Sequence, residues 1–177
     1  EDMYKLIKGE ALGLRAFCHL DLLRLYGPIP GVQTDKKMLS YAREVSLQNM
    51  PVNTWAEYIA FLEKDLNEAE ALLEGVEKKG IDDDYFTYRQ NRMNYWAVMA
   101  VKARFYLWIQ NKEKAAEYAK KVIDGVGEQF KLSQPVDFTN KDYIASSEHL
   151  FSVHVYDLED ITETFFYRSG GIEQTKS

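Results

Sequence analysis

Apolar residues recur at spacings of three and four along the opening stretch of the chain, and they do so in two sets. Ile7, Ala11, Leu14, Cys18, Leu22 and Leu25 form one stripe, and Leu12, Ala16, Leu20 and Leu23 form a second, nearly opposite. That period predicts a helix over about 4–26. Gly27-Pro28 ends it, because the residue before a proline is pushed out of the α region. A surface helix carries one apolar stripe; two require neighbours on two sides, which implies a stacked helical array.

Three further helices follow from the same pattern. Thr54 and Glu57 read as a capping box that opens a helix over about 54–74. Its apolar residues, Trp55, Ile59, Leu62, Leu66, Ala69 and Leu73, lie on a single side, so it is expected as an outer member of the array. The stretch 91–110 is apolar nearly all round, the mark of a buried helix. Asn111-Lys112 makes a short turn into a helix over about 112–126, and so short a link makes the two antiparallel neighbours. Ala103 and Ala115 allow these backbones to approach, and with Tyr106 they loosely follow the tetratricopeptide pattern. Residues 30–53 show no strong period. Near the C-terminus, alternation around Phe151, Val153 and Val155 predicts a strand over about 149–156, with no second strand in view. The fold class expected is all-α: tetratricopeptide-like antiparallel helix pairs with one short strand, in a single helical domain spanning 1–177.

Composition supports a globular chain, at 46% hydrophobic and 28% charged over 177 residues. The net charge of −6 argues against nucleic acid, which needs clustered Lys and Arg on one face. No apolar run approaches the span of a bilayer. A lone cysteine, Cys18, excludes an intrachain disulfide and a Cys-rich zinc site.

Few residues suggest chemistry. Arg15, Asp21 and Arg24 on the first helix read as ion pairs between packed helices, with Asp21 and Arg24 close enough along the helix to meet. Asp82, Asp83 and Asp84 have no EF-hand spacing and read as a solvated charge run. Beside them, Tyr85, Phe86 and Tyr88 could stack on sugar faces while the carboxylates bond hydroxyls, or could pack the loop onto the helices. His19, His149 and His154 are scattered, without metal spacing. Glu10 has no evident second carboxylate for glycoside hydrolysis. No nucleophile elbow, phosphate loop or dinucleotide fingerprint occurs. The reading is a non-enzyme with no catalytic residue, no metal ligands and no cofactor; ligand-binding residues stay unassigned.

Several blocks together resemble a known family. Glu10-Ala11, Leu14-Arg15-Ala16, Asp21-Leu22, Arg24 and Leu25-Tyr26-Gly27 with Pro30 are similar to the N-terminal signature of SusD/RagB proteins. In order there follow Leu62 to Ala69, Arg92 to Ala97, Ala103 to Leu107 with Lys114 to Ile123, and Glu148 to Val153, each similar to a block of that family. The resemblance implies a surface lipoprotein of the outer membrane, on its extracellular face. Such a protein captures oligosaccharide, or peptide, for a SusC-like TonB-dependent transporter, and does so without catalysis. Family members are longer and begin at a lipidated Cys. The resemblance therefore implies that this chain is the helical part of a longer protein whose lipid-bearing Cys lies outside it. The alternative is a stand-alone tetratricopeptide-like adaptor that binds protein partners.

Overall fold

The computed structural model describes residues 1–32, 35–77, 88–127, 130–142, 144–153 and 155–166. Four helices dominate: α1 (Asp2–Tyr26), α2 (Trp55–Glu77), α3 (Tyr95–Trp108) and α4 (Lys112–Gly125). Two shorter ones follow, α5 (Pro135–Thr139) and α6 (Leu158–Phe166). Between α1 and α2, β1 (Leu39–Ser40) pairs antiparallel with β2 (Val52–Asn53), setting Leu39 opposite Asn53. The helices stack as consecutive pairs, α1 on α2 and α3 on α4, with α2 against α3 joining the pairs. The expected helix-pair architecture is present.

The core lies where these helices meet. Leu6, Leu12, Ala16, Leu20 and Leu23 of α1 pack with Tyr58, Leu62, Leu66, Ala69 and Leu73 of α2, and with Val98, Met99 and Phe105 of α3. Gly9 makes the α1–α2 approach possible: a Cβ there would sit 2.7 Å from the Leu73 Cγ. The expected capping box on α2 forms. The Thr54 N–H donates to Glu57 Oε2 at 2.8 Å and the Glu57 N–H returns to Thr54 Oγ1 at 3.4 Å. The bond from the Thr54 backbone is the main reason that the Glu57 carboxyl lies below its ordinary range. Asn94 caps α3 by accepting from the Ala97 N–H at 2.9 Å. Asn111 caps α4 by accepting from the Lys114 N–H at 3.1 Å.

Three expectations change. First, α1 buries only one of its two apolar stripes. Ile7, Leu14, Leu22 and Leu25 of the other are exposed, as is Cys18. Periodicity correctly found two apolar faces, but the described residues cover one. Second, α2 is not an outer member, since it contacts both α1 and α3. Beside the shared apolar core, its contact with α3 includes polar groups that read as a solvated face in the sequence. Buried Lys102 donates to Asn67 Oδ1 at 2.7 Å and to Glu70, and the Tyr106 hydroxyl donates to Glu63 at 2.8 Å. Third, the described residues of 149–156 form no strand. Ser146–Glu148 is a 3-10 turn, and the chain then runs irregularly through Val153. Among the described residues the segment makes one long-range backbone–backbone bond, from the Ser152 N–H to the Gln90 carbonyl at 2.7 Å, where a ladder was expected. The small sheet lies instead in the 30–53 connection, whose two-residue strands are too short to leave a period.

Candidate functional site

Of the aromatic loop proposed from sequence, Asp82, Asp83, Asp84, Tyr85 and Phe86 lie outside the described residues, as does His154. Tyr88 is described. It is 73% exposed and holds the left-handed conformation, φ 51°, that opens the 3-10 turn Arg89–Asn91. The turn is anchored immediately behind it. Arg89 Nη1 donates to Glu10 Oε1 at 2.9 Å, and Arg92 reaches both Glu10 oxygens, with Nη2 to Oε2 at 2.5 Å. A fork from Arg92 and a further charge-assisted bond from Arg89, on one buried carboxylate, hold the chain entering α3 firmly onto α1. Asn94 completes the root, as its Nδ2 donates to the Arg89 carbonyl at 2.9 Å and to the Leu150 carbonyl at 2.7 Å. Tyr88 thus stands exposed on a rigid base. Glu10, with both oxygens engaged by guanidinium groups, is not arranged as a hydrolytic acid.

A second polar cluster fixes the 38–53 connection. Asp65 accepts a bidentate pair from Arg15, 2.6 Å to each oxygen, and a third bond from the Tyr41 hydroxyl at 2.7 Å. His19 is buried against Tyr41, the rings stacked at 3.9 Å. The Tyr58 hydroxyl donates to the His19 carbonyl at 2.9 Å, so it can accept from His19 Nδ1 at 2.8 Å. His19 Nε2 in turn accepts the Ala42 N–H at 3.2 Å. Both ring nitrogens are therefore satisfied by the neutral Nδ1–H form. Burial, followed by the nearby Arg15 charge, lowers the His19 pKa. Burial likewise raises the Tyr41 and Tyr58 hydroxyls well above the phenol range, so both remain donors. This is an architectural cluster: its side chains pair with one another, Arg15 donates also to the Arg43 carbonyl at 2.8 Å, and its Arg15–His19 edge borders an open cleft with Cys18, Ala42, Arg43, Glu44 and Val45.

The remaining sequence candidates fall into place. Asp21 and Arg24 meet as expected, Nη1 to Oδ1 at 2.9 Å, and Arg104 of α3 joins the same oxygen at 3.4 Å. Arg15 belongs to Asp65 and not to that group. Among the described residues no set of three His, Cys, Asp or Glu side chains is placed to hold a metal, and no helix is long and apolar enough to cross a membrane. Sequence reading missed Arg89, Arg92 and Asp65 as partners of Glu10 and Arg15, because the pairs are separated by 79, 82 and 50 residues.

The sequence profile of a SusD-like family, described as "Starch-binding associating with outer membrane", matches residues 1–107. The chain belongs to that SusD-like family. Its description joins starch binding to outer-membrane association. Solved structures agree with the fold. A SusD superfamily protein from Bacteroides thetaiotaomicron VPI-5482 superposes with a TM-score of 0.59 at 24% identity, covering 78% of this chain and 28% of that one. A SusD superfamily protein from Bacteroides vulgatus ATCC 8482 gives 0.62 at 23% identity, covering 79% and 30%. A third, a candidate sugar-binding protein from the same B. vulgatus strain, gives 0.64 at 24% identity, covering 85% and 32%. The SusD-like chain described here spans less than a third of the length of each of these. No curated protein matches it.

Proposed function

We propose that this SusD-like chain is the helical scaffold of a surface nutrient-binding protein that captures oligosaccharide and passes it to a SusC-like TonB-dependent transporter. The observation that carries the reading is the family match over residues 1–107. The protein sits on the extracellular face of the outer membrane, held by a lipid on a Cys outside this chain, with 1–177 as one helical domain. It works by capture, without chemistry: Glu10 and Asp65, the most buried carboxylates among the described residues, are engaged by arginines and serve as structural ties. Capture falls to loops on the scaffold, with Tyr88 exposed at the root of one such loop.

The test is an affinity screen of the polypeptide carrying this chain against starch-derived and other oligosaccharides, with peptides in parallel. Saturable oligosaccharide binding without turnover is expected. Binding to peptides alone would replace the ligand class, and binding to neither would end the capture reading.

A further inference from the structure

The end of the scaffold where α1 and α3 finish carries a basic, ring-walled niche. Arg24 of α1 and Arg104 of α3 are 80 positions apart in sequence, yet both guanidinium groups converge on Asp21, at 2.9 and 3.4 Å. Among the described residues these are the ion pairs the two arginines make. Two cations on one carboxylate leave one positive charge in excess, on a chain whose net charge is −6. All three side chains are nearly half exposed, so the excess faces solvent.

Apolar walls flank this charge. The Arg24 guanidinium lies 6.0 Å from the Trp108 ring centroid, and Arg104 lies 5.7 Å from that of Phe17. Arg24 stands between two clefts that share Trp108 as a wall. One, of about 230 Å³, is lined by Arg24, Pro30, Arg104, Leu107 and Trp108. The other, of about 270 Å³, is lined by Asp21, Arg24, Leu25 and Trp108. Leu25 and Leu107 on the two rims are largely exposed.

A guanidinium fork matches a carboxylate in plane and charge, and a flat apolar or aromatic wall matches the C–H face of a pyranose ring. A neutral sugar uses only the wall, and an inorganic anion only the forks. A sugar acid uses both, and two adjoining clefts provide for two residues. We propose that the Arg24–Arg104–Trp108 niche is a binding site for a uronic-acid-bearing oligosaccharide, its carboxylate replacing part of the Asp21 pairing. The proposal rests on the capture reading and narrows its ligand class at one place on the scaffold.

The experiment titrates the isotope-labelled polypeptide carrying this chain with digalacturonate, maltose or sodium sulfate, following the Trp108 Nε1–H resonance (identified by its loss in Trp108→Phe) and the Arg24 and Arg104 Nε–H resonances. Digalacturonate is expected to move all three saturably, with maltose and sulfate weaker by about tenfold. Arg24→Gln and Arg104→Gln should each weaken digalacturonate by about tenfold, because each removes charged hydrogen bonds. Arg104→Lys, which keeps charge but loses the fork, should fall between. Unchanged thermal unfolding of the variants checks that the fold is intact. No movement of these resonances, equal affinity for maltose or sulfate, or affinity indifferent to both Gln variants would overturn the proposal. Neutral oligosaccharide bound elsewhere on the polypeptide, with this niche silent, would remove the site and leave capture standing. Silence of the whole polypeptide toward every oligosaccharide would remove both.

Discussion

Replacing Asp65 by Ala tests the architecture at its most connected point. The carboxylate is 7% exposed, and it holds Arg15, whose side chain is 30% exposed, and the Tyr41 hydroxyl. The substitution strands that hydroxyl inside the core, where an unpaired polar group costs about 1–3 kcal/mol. It also strips Arg15 of a bidentate partner, and losing one member of a buried pair costs about 3–5 kcal/mol. The Arg15 head can turn partly toward water, so the pair belongs at the low end of that range, and the two losses overlap. A total of about 3–5 kcal/mol follows. At about 2–4 °C per kcal/mol for a chain of this size, the melting temperature should drop by about 6–20 °C. Thermal unfolding followed by circular dichroism measures it. Tyr41→Phe alone should cost about 1 kcal/mol, and almost nothing once Asp65→Ala is present, because the hydroxyl has already lost its acceptor. A drop of less than about 2 °C for Asp65→Ala, or strict additivity with Tyr41→Phe, would refute the shared-carboxylate account.

Further outcomes follow from other contacts. His19 has a lowered folded pKa, so the unfolded chain binds more protons; stability should decline as pH falls below about 6.5 toward the folded value, and level off beneath it. Melting curves across that window should show the slope in the parent and lose it in His19→Gln; parallel curves would exclude the His19 contribution. Gly9→Ala should lower stability, since a clash with Leu73, at about 1–3 kcal/mol, outweighs the gain of about 1 kcal/mol in helix propensity. Gly75→Ala, with nothing within 4 Å of the added Cβ, should raise stability by about 0.5–1 kcal/mol. Denaturant midpoints for the two variants moving in the same direction would contradict the packing described. Leu25→Gln, on the exposed stripe, should stay within about 0.5 kcal/mol of the parent, whereas Leu20→Ala should cost about 2–5 kcal/mol. Comparable losses at both positions would mean the stripe is covered.

The helices were readable because burial imposes a period, and because caps such as Thr54 with Glu57 act within a few residues. The ion pair of Asp21 with Arg24 was readable for the same reason: three positions on a helix bring side chains together whatever the fold. Period alone does not say what covers a face. The stripe through Ile7, Leu14 and Leu25 therefore implied a neighbour that the described residues do not supply. The position of α2 was misread because Asn67, Glu70 and Glu63 look solvated until Lys102 and Tyr106 arrive from a helix more than thirty residues on. The alternation of Phe151, Val153 and Val155 suggested a strand, but a strand needs a ladder partner, and the described residues there meet scattered groups instead: Gln90, Asn91, the Asn94 side chain and the Phe17 ring. Arg104 escaped notice beside Asp21 and Arg24 because only the packing of α3 against α1 brings it there.

The polar contact between α2 and α3 also sets alignment. Two apolar helices can slide by one turn, about 5.4 Å, and exchange one methyl contact for another. Lys102 has no such freedom, since its ammonium sits among Asn67, Glu70 and the Tyr118 hydroxyl, and a slip would leave it buried without acceptors. The two hairpins are keyed to each other like a tooth in a notch. The pitch of the stack is then written in one lysine, and the loops that rise from it can diversify without changing the frame on which they are spaced.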